Sequence, residues 1–232
     1  GGVVVVWYMR KKREFLRQRF FQQINRVRME NLRSRISPHF TFNVLGREIN
    51  QFNGSEEVKH NLMELVKYLR RSLELTEKLS VSLQDELDFV RTYIELERGR
   101  VGEDFVATIT VEDGLDATRI MIPSMIVQIP VENAIKHGLA GKDGKKELMV
   151  YVSRETNGIR ITVTDNGRGY LPQVVSATRG TGTGLKVLYQ TIQLLNTKNK
   201  SDKIRFNITN RSDGQTGTEV SVYIPFRFSY DL

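Results

Sequence analysis

The hydrophobic period first switches from helical to alternating near Gly102, and that switch limits the fold more than any other feature. Before it, apolar residues recur every three or four positions: Phe20, Ile24 and Val27, then Leu62, Leu65, Val66, Leu69 and Leu73, then Leu87, Val90 and Ile94. Such spacing places them on one face of a helix. After it, FVATITV (105–111), ELMVYVS (147–153), GIRITVTD (158–165), IRFNITN (204–210) and GTEVSVYIPF (217–226) are short, β-branched and alternating. That is the pattern of strands half-buried in a sheet.

The first half therefore predicts helices over 10–35 and 56–79, and a third after Ser82, whose start Ser82, Asp85 and Glu86 would cap. Pro38 interrupts the first run and Asn53-Gly54-Ser55 is a turn. A narrow apolar stripe on so charged a helix as 10–35 asks for a partner helix from a second copy of the chain. In the second half, Pro123 opens a predicted helix through His137, Gly138 ends it, and another helix covers 185–195. Turns fall at Asn157-Gly158 and Asp213-Gly214. The order strand, helix, strand, strand, helix, strand, strand predicts an α+β layer of helices on a mixed sheet. The division falls near Val101: a helical region over 15–100, then an α+β domain over 101–232.

Charge sharpens the division. The chain carries 35 Lys and Arg against 27 Asp and Glu, a net +8, and no cysteine. The missing thiols exclude a disulfide scaffold, a thiolate zinc site and a cysteine nucleophile. Residues 1–40 hold ten of the basic side chains and two of the acidic ones, so the whole excess sits at one end and the remainder is neutral. That end begins GGVVVVWYMRKKREF. The apolar stretch 3–9 is too short to span a bilayer, which needs about 20 residues. An apolar run, then Trp-Tyr, then Arg and Lys is the order found at the cytoplasmic end of a transmembrane helix. Residues 1–14 thus read either as that end with a juxtamembrane basic segment facing anionic lipid, or as a short buried strand before a solvated helix. A nucleic-acid partner for the basic end is the weaker alternative, because no base-stacking aromatic platform or groove-reading motif accompanies the charge.

Four segments of the second half bring together groups suited to a nucleotide. In Val131-Glu132-Asn133-Ala134-Ile135-Lys136-His137, a helix puts Asn133 on one face with Lys136 and His137. An Asn oxygen is a hard ligand for Mg²⁺, and Lys or His suits the phosphates; equally, Glu132 and Lys136 make an ordinary i,i+4 pair. Asp165-Asn166-Gly167-Arg168-Gly169 follows a strand. There a carboxylate can accept from an exocyclic amine beside glycines that admit a flat base, although Asp-Asn-Gly is also a common turn. Gly180-Thr181-Gly182-Thr183-Gly184-Leu185 runs into a helix, where backbone N–H groups and the dipole favour phosphate. Gly217-Thr218 opens the last strand.

Taken in order, Asn133, then Asp165, Gly167 and Gly169, then Gly182 and Gly184 resemble the N, G1 and G2 boxes of the GHKL ATP-binding fold, the Bergerat-type α/β sandwich of histidine kinases, gyrase, Hsp90 and MutL. Upstream, Pro38-His39-Phe40-Thr41-Phe42-Asn43 resembles the P-H-F-x-F-N box of LytS-type sensor histidine kinases. LQDELDFVRTYIELERGR and IPSMIVQIPVENAIKHG resemble two further boxes of that family, so the resemblance covers about residues 30–228. It implies a helical dimerisation and phosphoacceptor hairpin followed by the ATP-binding domain. It implies Mg²⁺ on Asn133, adenine on Asp165, a pocket shaped by Gly167 and Gly169 with Thr218 in support, and phosphate contacts from Lys136, His137 and Gly180 to Leu185. A short lid would lie between Tyr170 and Thr183.

The same resemblance implies ATP and Mg²⁺ as cofactors, His39 as phosphoacceptor, a homodimer, and a response regulator, often with a LytTR domain, as the next acceptor. It places the chain on the cytoplasmic side of a bacterial membrane, with no direct nucleic-acid contact. An imidazole of pKa near ~6.5 suits the acceptor role, since it is largely neutral at pH 7 and keeps a nitrogen lone pair. The sequence departs from the family pattern at Arg35, Thr41 and Gly46, and its helix proline is Pro130, one place late. Phe40 follows the histidine where better-known kinases carry an acid, so the group that activates His39 is unassigned; the resemblance implies Glu132 as a candidate base, since related ATPases use a nearby Glu on water. A domain that binds ATP and signals by conformation alone is the alternative to a working kinase.

Overall fold

A computed structural model of the chain describes residues 78–170, 183–197, 199 and 201–230, and, as helix, residues 7, 9–12, 15 and 19 and several between 61 and 75. His39 and the rest of 20–60 lie outside the described residues, as do 171–182 of the predicted lid. Trp7 and Met9 are helical and exposed, so the buried-strand alternative fails at both positions. Among the described residues no helix is long and apolar enough to cross a membrane.

The elements in order are β1 (Ser80–Ser82), α1 (Leu83–Val101), β2 (Phe105–Val111), β3 (Met121–Pro123), α2 (Gln128–Asn133), a π-helical turn (Ala134–Gly138), β4 (Lys146–Glu155), β5 (Gly158–Asp165), α3 (Thr183–Asn196), β6 (Arg205–Asn210) and β7 (Thr218–Pro225). Five strands form one sheet in the order β2-β4-β5-β7-β6, with β2 parallel to β4 and every other pair antiparallel. The α+β expectation holds. Alternation along each strand becomes rows across the sheet: Ile109, Val150, Val163, Val220 and Ile208 stand side by side in register. Val111, Val152, Ile161, Val222 and Phe206 form the next row. These side chains meet the helices in one apolar core, which takes in residues from Leu65 to Phe228 and includes Leu87, Val90 and Ile94 of α1.

Three local expectations change. Pro123 does not open a helix; it ends β3, which pairs antiparallel with β1 in a separate two-stranded sheet. The helix starts at Gln128, and Pro130 is its third residue, where a missing N–H costs nothing because first-turn donors have no partner within the helix. Ser82 does cap α1, its Oγ accepting from the Asp85 N–H at 3.0 Å. Glu86, however, takes no part in that cap and lies fully buried against the segment before α2. Finally, the helix that carries Asn133 widens into a π turn over the next five residues, closed by the Leu139 N–H donating to the Ala134 carbonyl at 2.8 Å.

The central strand should carry much of the stability. Ile161 is 1 % exposed on β5, so Ile161→Ala removes buried methyl groups and leaves a cavity. It is expected to lower the unfolding free energy by roughly 2–5 kcal/mol, read from the urea midpoint of the transition that reports the sheet.

Candidate nucleotide-binding site

Alternation on β5 sends residues 159, 161, 163 and 165 to the inner face, and the first three are aliphatic. The fourth is Asp165, paired with Leu148 of β4 and 3 % exposed. A carboxylate thus occupies the place where the pattern calls for another aliphatic side chain. Its Oδ1 accepts from the Gly167 N–H at 2.8 Å and, longer, from the Thr218 N–H at 3.4 Å. Burial is the main influence on its pKa and raises it from the ordinary carboxylate range; the Gly167 and Thr218 bonds and the Arg211 charge oppose that rise without cancelling it.

Backbone closes around this group. A Cβ on Gly138 would stand 2.8 Å from the Asp165 carboxylate, and one on Gly167 would stand 2.0 Å from the Gly138 carbonyl oxygen. A Cβ on Gly217 would lie 1.9 Å from the Asp165 carbonyl oxygen. The Arg168 N–H donates to the Gly138 carbonyl at 3.2 Å, joining the loop after β5 to the end of the π turn. Gly169 has φ of 86°, and beside it Asn210 accepts from the Tyr170 N–H at 2.6 Å. Asn166 faces the other way, accepting from the Glu147 N–H at 2.8 Å, and so extends the β4–β5 pairing past Asp165. A carboxylate has about four acceptor positions, so Asp165 retains capacity for a donor from a ligand.

On the helix side, Asn133 donates its amide N–H to the Ile129 carbonyl at 2.9 Å. This fixes the side chain, and its Oδ1 has no hydrogen-bond partner among the described residues. Lys136 is engaged with Glu132, Nζ to Oε1 at 2.5 Å, with the carboxylate side chain 12 % exposed. The ordinary i,i+4 pair is therefore formed in this state. His137 is half-buried, and burial first, then the charge of Lys136, lowers its pKa from the usual histidine value. The shift favours the uncharged imidazole over the cation. The hard-oxygen donor on Asn133, the glycine cradle and the buried carboxylate fit an adenine nucleotide with its divalent cation.

Five sequence-predicted residues fall outside or at the edge of what is described. His39, Gly180, Thr181 and Gly182 lie outside the described residues, and Thr183 only begins α3 as backbone. Gly184 and Leu185 are half-buried in the first turn of α3, which packs on α2 and has no acidic residue there. Sequence alone reads Gly138 only as a helix stop and Gly217 only as a strand start, whereas Gly138 closes on the Asp165 carboxylate and Gly217 on the Asp165 main-chain carbonyl. Nothing in the sequence marks Asn210. Their spacing carries no period; only the folded loops bring them together.

Two family patterns match the chain: "Histidine kinase" over residues 27–105 and "Histidine kinase-, DNA gyrase B-, and HSP90-like ATPase" over 118–227. Over 205 residues the chain is 28 % identical to the sensor histidine kinase YpdA of Escherichia coli K12, covering 88 % of this chain and 35 % of that protein. Over 197 residues it is 32 % identical to the sensor histidine kinase/phosphatase LytS of Staphylococcus aureus MRSA252, covering 81 % of this chain and 33 % of that one. The chain spans about a third of the length of the curated relatives it matches. Among solved structures, the histidine kinase domain of the Erythrobacter litoralis blue-light activated histidine kinase aligns with a TM-score of 0.48 at 18 % identity, over 79 % of this chain and 94 % of that one.

Asp165 allows binding and stability to be separated. Because its folded pKa is raised, the stability it contributes is present at acidic pH and lost as pH rises through the raised value. Asp165→Asn keeps an oxygen acceptor for Gly167 and Thr218 but removes the ionisation. The variant should melt no lower than wild type at pH 7, with its relative stability increasing as pH rises from about 4. Its affinity for ATP, measured by calorimetry, should fall about tenfold or more.

Proposed function

The chain belongs to the LytS-like sensor histidine kinases, and we propose that it is the kinase core of such a sensor, autophosphorylating on His39 with Mg·ATP. The observation that carries this is the ionisable Asp165, buried on the inner face of the sheet and walled by Gly138, Gly167 and Gly217. A buried carboxylate opposes folding unless it serves a partner, and an exocyclic amine is the donor that this cradle fits.

In this proposal Asp165 accepts from the adenine amine while Gly167 and Gly169 leave room for the ring. Asn133, Lys136 and neutral His137 meet the phosphate end, with the segment from Gly180 to Leu185 closing over it. Mg²⁺ held by Asn133 would supply charge neutralisation on the phosphate oxygens. His39 contributes a neutral imidazole nitrogen, which forms a bond to the γ-phosphorus as the bond to the β–γ bridging oxygen breaks and ADP departs. The imidazole must also lose its N–H proton, and Glu132 is the candidate acceptor. For that role the Glu132–Lys136 pair has to open or exchange partners, with Lys136 then turning to phosphate. Catalysis of this kind rests on placing the groups and on charge rather than on covalent help from the protein.

The larger assembly is part of the same proposal. Residues 15–100 form the dimerisation and phosphotransfer region of a homodimer, and 101–232 the ATP-binding domain. The phosphoryl group passes onward to an Asp of a response regulator, of LytTR type. Residues 1–14 continue a membrane anchor, which places the kinase on the cytoplasmic side of a bacterial membrane. The basic excess confined to residues 1–40 supports that placement, since each Lys or Arg near an anionic surface adds about 1 kcal/mol of attraction.

Incubation with γ-labelled ATP tests the reaction. Wild type should acquire an acid-labile, alkali-stable label, and His39→Gln and Asn133→Ala should acquire none. Label that survives His39→Gln contradicts the assigned phosphosite, and bound ATP without any label supports a binding relay instead.

A further inference from the structure

Of the two fully buried carboxylates of α1, Glu86 and Glu97, Glu86 is the one that, among the described residues, accepts from the backbone of another element. It is fully buried, and nothing in the proposed phosphoryl transfer uses it. Its Oε2 accepts from the Met125 N–H at 2.9 Å, and its Oε1 from the Val127 and Gln128 N–H groups at 3.0 and 3.1 Å. The start of a helix leaves backbone donors without partners, and these are ordinarily met by a Ser, Thr, Asp or Asn just before the first turn. α2 has Val127 there, which offers no side-chain cap. Glu86 supplies the missing acceptor from outside the segment.

The gripped segment is constrained in other ways too. Met125 has φ of 69°, a left-handed conformation that a side-chain-bearing residue adopts only when its surroundings fix it. The next residue upstream, Ser124, donates its N–H to the Leu79 carbonyl at 3.1 Å and its hydroxyl to the Leu75 carbonyl. Gln128 reaches the Tyr68 hydroxyl at 3.4 Å, and the Tyr68 ring stacks on Phe89 with centroids 4.9 Å apart. The segment that begins α2 is therefore fastened to α1 and to the helical residues between 61 and 75.

Asn133 lies five residues beyond Gln128 on the same helix, about 7–8 Å further along at ~1.5 Å per residue. Gly138, which touches Asp165, follows through the π turn. A short helix moves as a rigid piece, so where α2 begins decides where Asn133 stands. We propose that Glu86 is a positioning residue for the nucleotide site: its carboxylate fixes the start of α2 and thereby the place of Asn133 relative to the Asp165 cradle. This rests on the reading of that cradle as an ATP site.

The test compares the full chain with Glu86→Gln, which keeps the shape but replaces one accepting oxygen by an NH2 donor, and with Leu87→Ala, a fully buried neighbour on α1 whose aliphatic side chain accepts no hydrogen bond. Thermal melts establish that each is folded at the working temperature; Glu86→Asp replaces the glutamine variant where the latter does not fold. Calorimetry then reads Mg·ATP affinity, and hydrogen exchange reads the amides of residues 125, 127 and 128. The Glu86 variant should lose at least roughly fivefold in affinity with faster exchange at those amides. Leu87→Ala, at equal or greater loss of stability, should keep wild-type affinity. Equal weakening by both variants, or unaltered affinity in the Glu86 variant, overturns the proposal alone. A wild-type chain that binds no ATP overturns the nucleotide reading and the proposal with it.

Discussion

An ionisable group held inside the protein at the end of the central strand is the constraint around which the rest of this structure is arranged. β5 delivers three aliphatic side chains to the inner face and then Asp165. Leaving that carboxylate buried requires donors close by, and the chain supplies them from backbone: Gly167 from the following loop and Thr218 from β7. Backbone can come so near only where side chains are absent, which accounts for glycine at 138, 167 and 217 together. The rowed core beneath keeps β5 and β7 in register, which sets the Thr218 donor beside Asp165. The cradle is thus a product of sheet geometry, with the loops fitted to it.

A second carboxylate does different work at the other end of the same helix. Glu86 lies at the start of α2, and the Gly138–Asp165 contact lies just past its π-helical end. Between them, α2 and its π turn carry Glu132, Asn133, Lys136 and His137 in six residues. Wide turns of this kind are commonly found at functional sites, because they alter which side chains share a face without ending the helix. Here the widening follows Asn133 directly. Glu132 and Lys136 remain joined across it, while burial lowers the pKa of His137.

Much of this was legible in the sequence, and what was not has a physical reason in each case. The strands β2 and β5 coincide with their alternating segments because alternation is itself the consequence of one buried face. Asp165 was legible because an acid breaks that alternation at a strand end. β1 and β3 were not: three residues hold no period, and their pairing joins positions about forty apart in the chain. The start of α2 was misplaced to Pro123 because the true start at Gln128 has no local capping residue. Its cap is Glu86, which sequence adjacency had assigned to the helix that carries it. Gly138 and Gly217 mattered through tertiary approach, which no spacing rule contains.

In the proposed site Asp165 receives an amine, and one comparison of ligands addresses that directly. ATP carries an exocyclic amine on its base; inosine triphosphate has a carbonyl oxygen in that place and the same phosphates. Calorimetric titration of the wild-type chain with each, in Mg²⁺, changes only that edge of the base, where N1 also turns from acceptor to donor, and leaves the phosphates as they are. A carboxylate facing a carbonyl instead of a donor should bind about tenfold or more weakly, and Asp165→Asn should narrow the difference. Equal affinity for the two nucleotides in the wild-type chain would contradict the assignment of Asp165 as the group that reads the base.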